Sequence, residues 1–299
     1  MNSGSPELAV VVIVHGRHEH LRRCLSSLAD QVLPATRVVV VAMADDRAGA
    51  LAEFTGAELG LPITLVAMDA DPSRLPLARA RNLGVAAADS ANLVLLDVDC
   101  LADPFLLQRY ADAMSSPRPP GLGSGPVVWC GPVTYLGPNA RVDLPGSDPA
   151  STPRIDWQMV RSHRAPHTAR PDPAAGALVP GTDLRLFWSL SYAITAADHA
   201  AAGGFDEAYE GYGGEDTDFA RRLRTAGGGI CWVGGADAYH QHHPVSRPPV
   251  EHVEDIVRNA ALFRARWGSD CMTGWLEEFE GLGLVRRAGD GWQTVQGAR

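Results

Sequence analysis

The chain lacks any apolar run long enough to cross a bilayer. Its most hydrophobic opening stretch, Leu8 to Val14, falls far short of the ~20 residues a spanning helix needs and has no basic flank of the kind that marks a secretion signal. The expectation is a cytoplasmic protein without an integral membrane segment, leaving only peripheral association with a membrane surface or a partner. Cysteine is sparse: Cys24, Cys100, Cys130, Cys231 and Cys271 are odd in number, scattered and never spaced C-x-x-C. That pattern argues against a disulfide framework and a structural zinc site and for a reducing compartment. Basic residues are not in surplus either. A formal net charge of -9 disfavours a protein that tracks nucleic-acid phosphates. The loop after the first β-rich run, "HGRHEH", has none of the G-x-G-x-x-G fingerprint of a dinucleotide-binding Rossmann domain. It is also a poor version of the glycine-rich basic loop that would hold a triphosphate.

What is present is the material of an enzyme-sized globular fold: 299 residues, 45% of them hydrophobic, enough to bury a large core or two modest ones. The first hundred residues alternate β-rich runs ("LAVVVIV", "RVVVVAM", "ITLVAM", "NLVLLDV") with helical patterns. Short, continuously apolar strands between amphipathic helices predict a mostly parallel, nucleotide-binding sheet flanked by helices on both faces. Residues 137–183 are rich in proline, glycine, serine and arginine and only weakly patterned; a stretch of this kind within a domain reads as a flexible acceptor-side lid or a plain surface excursion. The expected division is one domain over 1–267 containing that insert, with 268–299 as a C-terminal appendage packed on it.

Three clusters carry chemistry. "LVLLDVDC" ends a β-rich run in Asp97 and Asp99, which share one side of an extended chain and suit a hard divalent cation with positions left open for phosphate oxygens; acids at a strand end can also simply solvate a loop. "AYHQHHP" holds His240, His242 and His243. Of these His240 is the first candidate ligand and His242, on the same face if the chain is extended, the second; one imidazole beside carboxylate oxygens favours Mn2+ over Mg2+. "YEGYGGEDTDFARRL" sets Gly213 and Gly214 before Glu215 and Asp216 at a helix start. Acids in a first turn stabilise the helix dipole by themselves, which explains the acids but not the glycines.

Taken in order, these segments resemble glycosyltransferase family 2 and its GT-A-fold neighbours. "VVVIVHGRHEHLRRCLSSLADQ" looks like the family's opening strand, loop and helix, and "ARARNLGVAAADSANLVLLDVDC" like its central helix and D-x-D strand. "GGFDEAYEGYGGEDTDFARRL" followed by "AYHQ" resembles the subgroup of chondroitin polymerase domains and β-1,4-galactosyltransferases. The resemblance runs with gaps from Leu8 to Pro244. It implies an α/β GT-A fold with a smaller acceptor-side region, and a metal-dependent inverting hexosyltransferase using a nucleotide sugar, a UDP-sugar first. It further implies that His15, Arg17 and Asp45 lie near the nucleoside, Arg81 near the diphosphate and Asp97 near the ribose or donor sugar. Asp99 and His240, with His242 second, would hold Mn2+ or Mg2+; Asp216 would be the general base, Glu215 would bind hydroxyls, and Tyr212, Gly213 and Gly214 would meet a glycan, lipid-linked or small-molecule hydroxyl acceptor. A sugar-nucleotide nucleotidyltransferase and a non-catalytic nucleotide-sugar or glycan-binding module are the alternatives. A processive membrane synthase is disfavoured, because "FRARW" is not the Gln-x-x-Arg-Trp motif of those enzymes.

Overall fold

A computed structural model describes residues 7–145 and 151–295. The N-terminal part runs as β1 (Ala9–Val14), α1 (His18–Ala29), β2 (Arg37–Met43), α2 (Asp46–Leu59), β3 (Ile63–Met68), α3 (Leu77–Ala88), β4 (Asn92–Leu96), β5 (Cys100–Ala102), α4 (Leu106–Ser115), β6 (Val127–Cys130) and β7 (Val133–Tyr135). There follow α5 (Trp157–Ser162), β8 (Leu178–Gly181), β9 (Ser191–Thr195), α6 (Ala196–Ala201), α7 (Glu215–Thr225), β10 (Gly229–Val233), β11 (Ala238–His240), α8 (Val253–Trp267), α9 (Thr273–Gly281), β12 (Val285–Ala288) and β13 (Gly291–Thr294).

The large sheet has the order β3-β2-β1-β4-β9-β6-β10-β8. Strands β3, β2, β1 and β4 are mutually parallel, β9 is antiparallel to both β4 and β6, and β10 runs parallel to β6. Alternation along each strand sends side chains to opposite faces, so a strand covered on both sides must be apolar throughout. On β1, Val10, Val12 and Val14 join a core with Leu21 and Leu25 of α1, Ala48 of α2 and Leu107 of α4. The intervening Ala9, Val11 and Ile13 join a second core with Ala78 of α3 and Phe219 and Leu223 of α7. Each fully buried valine contributes about 1.5–3 kcal/mol, which makes the paired hydrophobic layers the principal source of cohesion. The expectation of a mostly parallel sheet with helices on both faces is therefore met.

A small sheet, β5-β11-β7, sits beyond the D-x-D segment and brings His240 opposite Cys100. Of the 137–183 segment, residues 137–145 and 151–183 are described. It supplies α5 and the edge strand β8, which pairs with β10. Arg161 grips Asp103 at 2.8 Å and Arg164 grips Asp237 at 2.8 Å, tying it to the body of the fold. The expected division placed α8 within the 1–267 domain and 268–299 as an appendage packed on it. In the structure α8, α9 and the β12-β13 hairpin share an apolar cluster, Ile256, Phe263, Leu276, Phe279, Val285 and Trp292, which also includes Tyr209. All five cysteines are free and buried, and among the described residues no helix is long and apolar enough to cross a membrane.

Candidate active site

The C-terminal ends of β1 and β2 open side by side. Their loops are locked by Asp45, which accepts the Gly16 N–H at 2.7 Å, His18 Nε2 at 3.1 Å and the Ala48 N–H at 2.9 Å as the N-cap of α2. Burial acts to raise its pKa, but these donors outweigh burial and hold the carboxyl below its ordinary range. His15 Nδ1 donates to the Met43 carbonyl at 2.7 Å. Three of the sequence candidates, His15, Arg17 and Asp45, thus lie on one rim.

Asp97 and Asp99 are not on an extended strand, as the spacing had suggested. β4 ends at Leu96, and the Cys100 N–H returns to the Asp97 carbonyl at 2.9 Å, so the two acids sit on a turn. Asp99 faces Arg17 (3.6 Å), His20 (3.9 Å) and His243 (3.4 Å). Potential ligand atoms of Asp99, His240 and His243 all fall within 4.8 Å of one another. His242 is exposed, and only its carbonyl is engaged, by His20 Nε2 at 3.3 Å. The i, i+2 argument fails there because β11 stops at His240 and the chain turns, bringing His243 back to Asp99. Burial and the neighbouring Asp97 raise the Asp99 pKa, while burial lowers that of His240 despite both acids. One oxygen of Asp99 is buried with no hydrogen-bond partner. A carboxylate with one buried, unpartnered oxygen in a cluster with two imidazoles fits a divalent cation, and the mixed nitrogen and oxygen donor set suits Mn2+ better than Mg2+.

The second half of the site forms where α7 begins. Arg81 of α3 lies 3.2 Å from Glu215, both buried. Burial opposes the charge on Arg81, but Asp216, Glu215, Tyr192 and Asp97 around it raise its pKa. One guanidinium is shared among three acids, so it does not keep Glu215 ionised at low pH: burial first, then Asp216, push Glu215 up to about 7. Asp216 is held at both oxygens by one residue, Ser189, whose hydroxyl donates at 2.6 Å and whose N–H donates at 3.1 Å. Ser189 precedes β9 in a run that reads as buried strand, and no local signal marks it. Asp218, the third acid of the first turn, is fully buried and accepts from Trp267 Nε1 at 2.8 Å and Arg222 Nε at 2.9 Å, a tie between α7 and the C-terminal unit.

Gly213 and Gly214 have φ of 88° and 94°, a region that side chains rarely adopt. A Cβ at Gly213 would stand 2.7 Å from the Met272 sulfur, and one at Gly214 would stand 3.1 Å from the Tyr209 ring. Both glycines are explained by backbone torsion and by contact within the C-terminal side of the molecule; close approach of a sugar is not needed to account for them. Tyr212, 38% exposed, stacks on His252 at 4.5 Å with Trp275 at 5.7 Å.

The architecture is the GT-A glycosyltransferase fold, with a candidate metal cluster between the turn after β4 and the end of β11, and a buried Arg81–Glu215 pair beside the half-buried Asp216. A family profile described as glycosyl transferase family 2 matches residues 9–134, and one described as the N-terminal domain of galactosyltransferase matches residues 183–244. Both resemblances drawn from the sequence are thereby borne out. Validoxylamine A glucosyltransferase of Streptomyces hygroscopicus subsp. limoneus is 28% identical over 276 residues, covering 86% of this chain and 56% of its own length. Chondroitin synthase of Escherichia coli is 28% identical over 181 residues, covering 56% of this chain and 25% of its own. The chain thus spans about half or less of the curated relatives it matches. In fold it is similar to S. aureus TarS 1-349 in complex with UDP-GlcNAc (TM-score 0.55, 13% identity, 86% of this chain and 66% of that one). It is likewise similar to the mannosyltransferase PcManGT of Pyrobaculum calidifontis in complex with GDP-Man and Mn2+ (TM-score 0.53, 18% identity, 90% and 67%).

Proposed function

We propose that this chain is a metal-dependent, inverting glycosyltransferase that moves a sugar from a nucleotide sugar, a UDP-sugar, to a hydroxyl acceptor. The observation that carries the reading is the arrangement around Arg81, which gathers Asp97 from the donor side and Glu215 and Asp216 from the α7 start, with Asp216 held in place by Ser189. His15, Arg17 and Asp45 form the rim that takes the nucleoside, and Arg81 and Asp97 face the diphosphate and the sugar. A divalent ion held by Asp99, His240 and His243 would offset the charge that develops on the leaving diphosphate.

Asp216 accepts the proton of the acceptor hydroxyl as its oxygen forms a bond to the anomeric carbon. The bond from that carbon to the diphosphate oxygen breaks on the opposite face, its electron pair leaving with the nucleotide. Glu215, buried and with its pKa near neutrality, donates to or accepts from sugar hydroxyls and keeps Arg81 oriented. Tyr212 and the backbone of Gly213 and Gly214 line the acceptor approach. The matched relatives support the class: one is a glucosyltransferase and one a chondroitin synthase, and a neighbour in fold binds UDP-GlcNAc.

The test is to incubate the protein with a panel of nucleotide sugars, Mn2+ and hydroxyl acceptors, following nucleotide release and the product's anomeric configuration by NMR. Inverted product formed only with a divalent ion is expected. Retained configuration overturns the mechanism, and nucleotide-sugar binding without turnover on any acceptor favours a binding module.

A further inference from the structure

Between Tyr209 and Asp216 the chain must hold a definite course through glycines at 211, 213 and 214, all at positive φ. Such residues have the widest conformational freedom and no side chains with which to anchor themselves. The anchor comes from α8, outside the segments matched by either family profile. Asn259 is fully buried. Its Nδ2 lies 2.7 Å from the Gly213 carbonyl, 3.0 Å from that of Glu210 and 3.3 Å from that of Tyr212. One turn earlier, Asp255 accepts the Tyr212 N–H at 3.2 Å, and a Cβ at Gly211 would collide with it at 2.1 Å. Arg258 donates to the Glu210 carbonyl as well. The Gly214 carbonyl then accepts the Asp218 N–H at 2.9 Å and starts α7, which sets where Glu215 and Asp216 project.

We infer that Asn259 is a positioning residue for the base: its carboxamide gathers three loop carbonyls, fixes the Glu210–Gly214 course, and thereby aims Asp216 from the C-terminal unit. The inference rests on the glycosyl-transfer reading, and it gives α8 a catalytic purpose beyond packing. Asn259→Leu keeps the volume and removes the donor. Asn259→Asp keeps the shape and turns an acceptor toward the three carbonyls.

The experiment is a double-mutant cycle with Asp216→Asn, read as transfer rate at saturating donor and acceptor well below the melting temperature, alongside donor affinity with Mn2+ and hydrogen exchange across residues 210–216. Asn259→Leu should lower the transfer rate by about tenfold or more, since small misplacements of a reacting group have effects of that order. Donor affinity should fall far less than the transfer rate, because His15, Arg17, Asp45 and the candidate metal ligands lie on other elements. In the Asp216→Asn background the same substitution should cause little further loss, the mark of two residues acting through one another. Exchange at 210–216 should accelerate while α8 stays protected. A normal transfer rate, or a loss that multiplies fully with that of Asp216→Asn, overturns the inference. If Asn259→Leu does not fold, Asn259→Asp is read in the same cycle. If Asp216→Asn by itself leaves transfer intact, the assignment of the base falls instead, and the exchange measurement still decides whether Asn259 holds the loop.

Discussion

The proposed donor side and the proposed acceptor side of this molecule are built in different ways. The proposed donor rim comes from the ends of parallel strands: His15 and Arg17 follow β1, Asp45 follows β2, and Asp97 and Asp99 follow β4. Parallel strands deliver successive loops to the same edge of the sheet, so nearness in space follows from topology alone. The acceptor side is assembled from pieces far apart in sequence. Ser189 comes from the approach to β9, Asp216 from α7, and Asn259 from α8, and they meet only through tertiary contacts. Residues of the first kind are specified by a pattern, whereas those of the second kind are specified by packing.

That contrast is broken most sharply at Asp216. Asp216→Asn retains the shape that Ser189 grips but cannot take a proton, so transfer should fall by about a hundredfold or more. The melting temperature should change little, because Gly214, not a side chain, caps α7. Donor affinity should be preserved. Transfer at close to the normal rate in a folded variant would mean the base lies elsewhere and the acceptor side has been misread.

Next in size is the metal cluster, which belongs to both sides. Asp99→Ala should abolish most of the Mn2+-dependent gain in nucleotide affinity, and His243→Ala should weaken Mn2+ by roughly tenfold, while His242→Ala should leave it unchanged. Isothermal titration with Mn2+ and nucleoside diphosphate distinguishes them. A larger effect at His242 than at His243 would show that the loop after β11 closes differently when the ion binds.

These two histidines also show how far the sequence could be read. The apolar runs announced β1 to β4 and the covered sheet, because a strand buried on both faces has no polar alternation to hide it. Asp99 and His240 were legible as strand-end acid and histidine. The pairing of His243 with Asp99 was not, since it depends on where β11 ends, and one residue of difference reverses which histidine faces in. The attachments of the 137–183 segment to the body of the fold were not legible for a related reason. They come from Arg161 and Arg164 reaching Asp103 and Asp237, partners that a local window does not contain. Ser189 and Asn259 carry no local signature whatever, being a serine before a strand and an asparagine in a helix.

The smallest expected effect separates the two acids that open α7. Glu215 is raised from 4.5 to about 7, chiefly by burial and then by Asp216, so the folded state binds a proton more tightly than the unfolded one. Its neutral form stabilises the fold fully below about pH 4.5, and that contribution is lost as pH rises toward 7. Glu215→Gln mimics the protonated form at every pH. In the absence of metal and donor, its melting temperature relative to the unsubstituted protein should therefore climb between about pH 4.5 and 7 and then level off. A difference that stays constant across this range would mean that Arg81 neutralises Glu215 fully in spite of its other partners. Glu215 would then be an ordinary ion-pair member, and the proposal that it holds a proton beside the base would lose its basis.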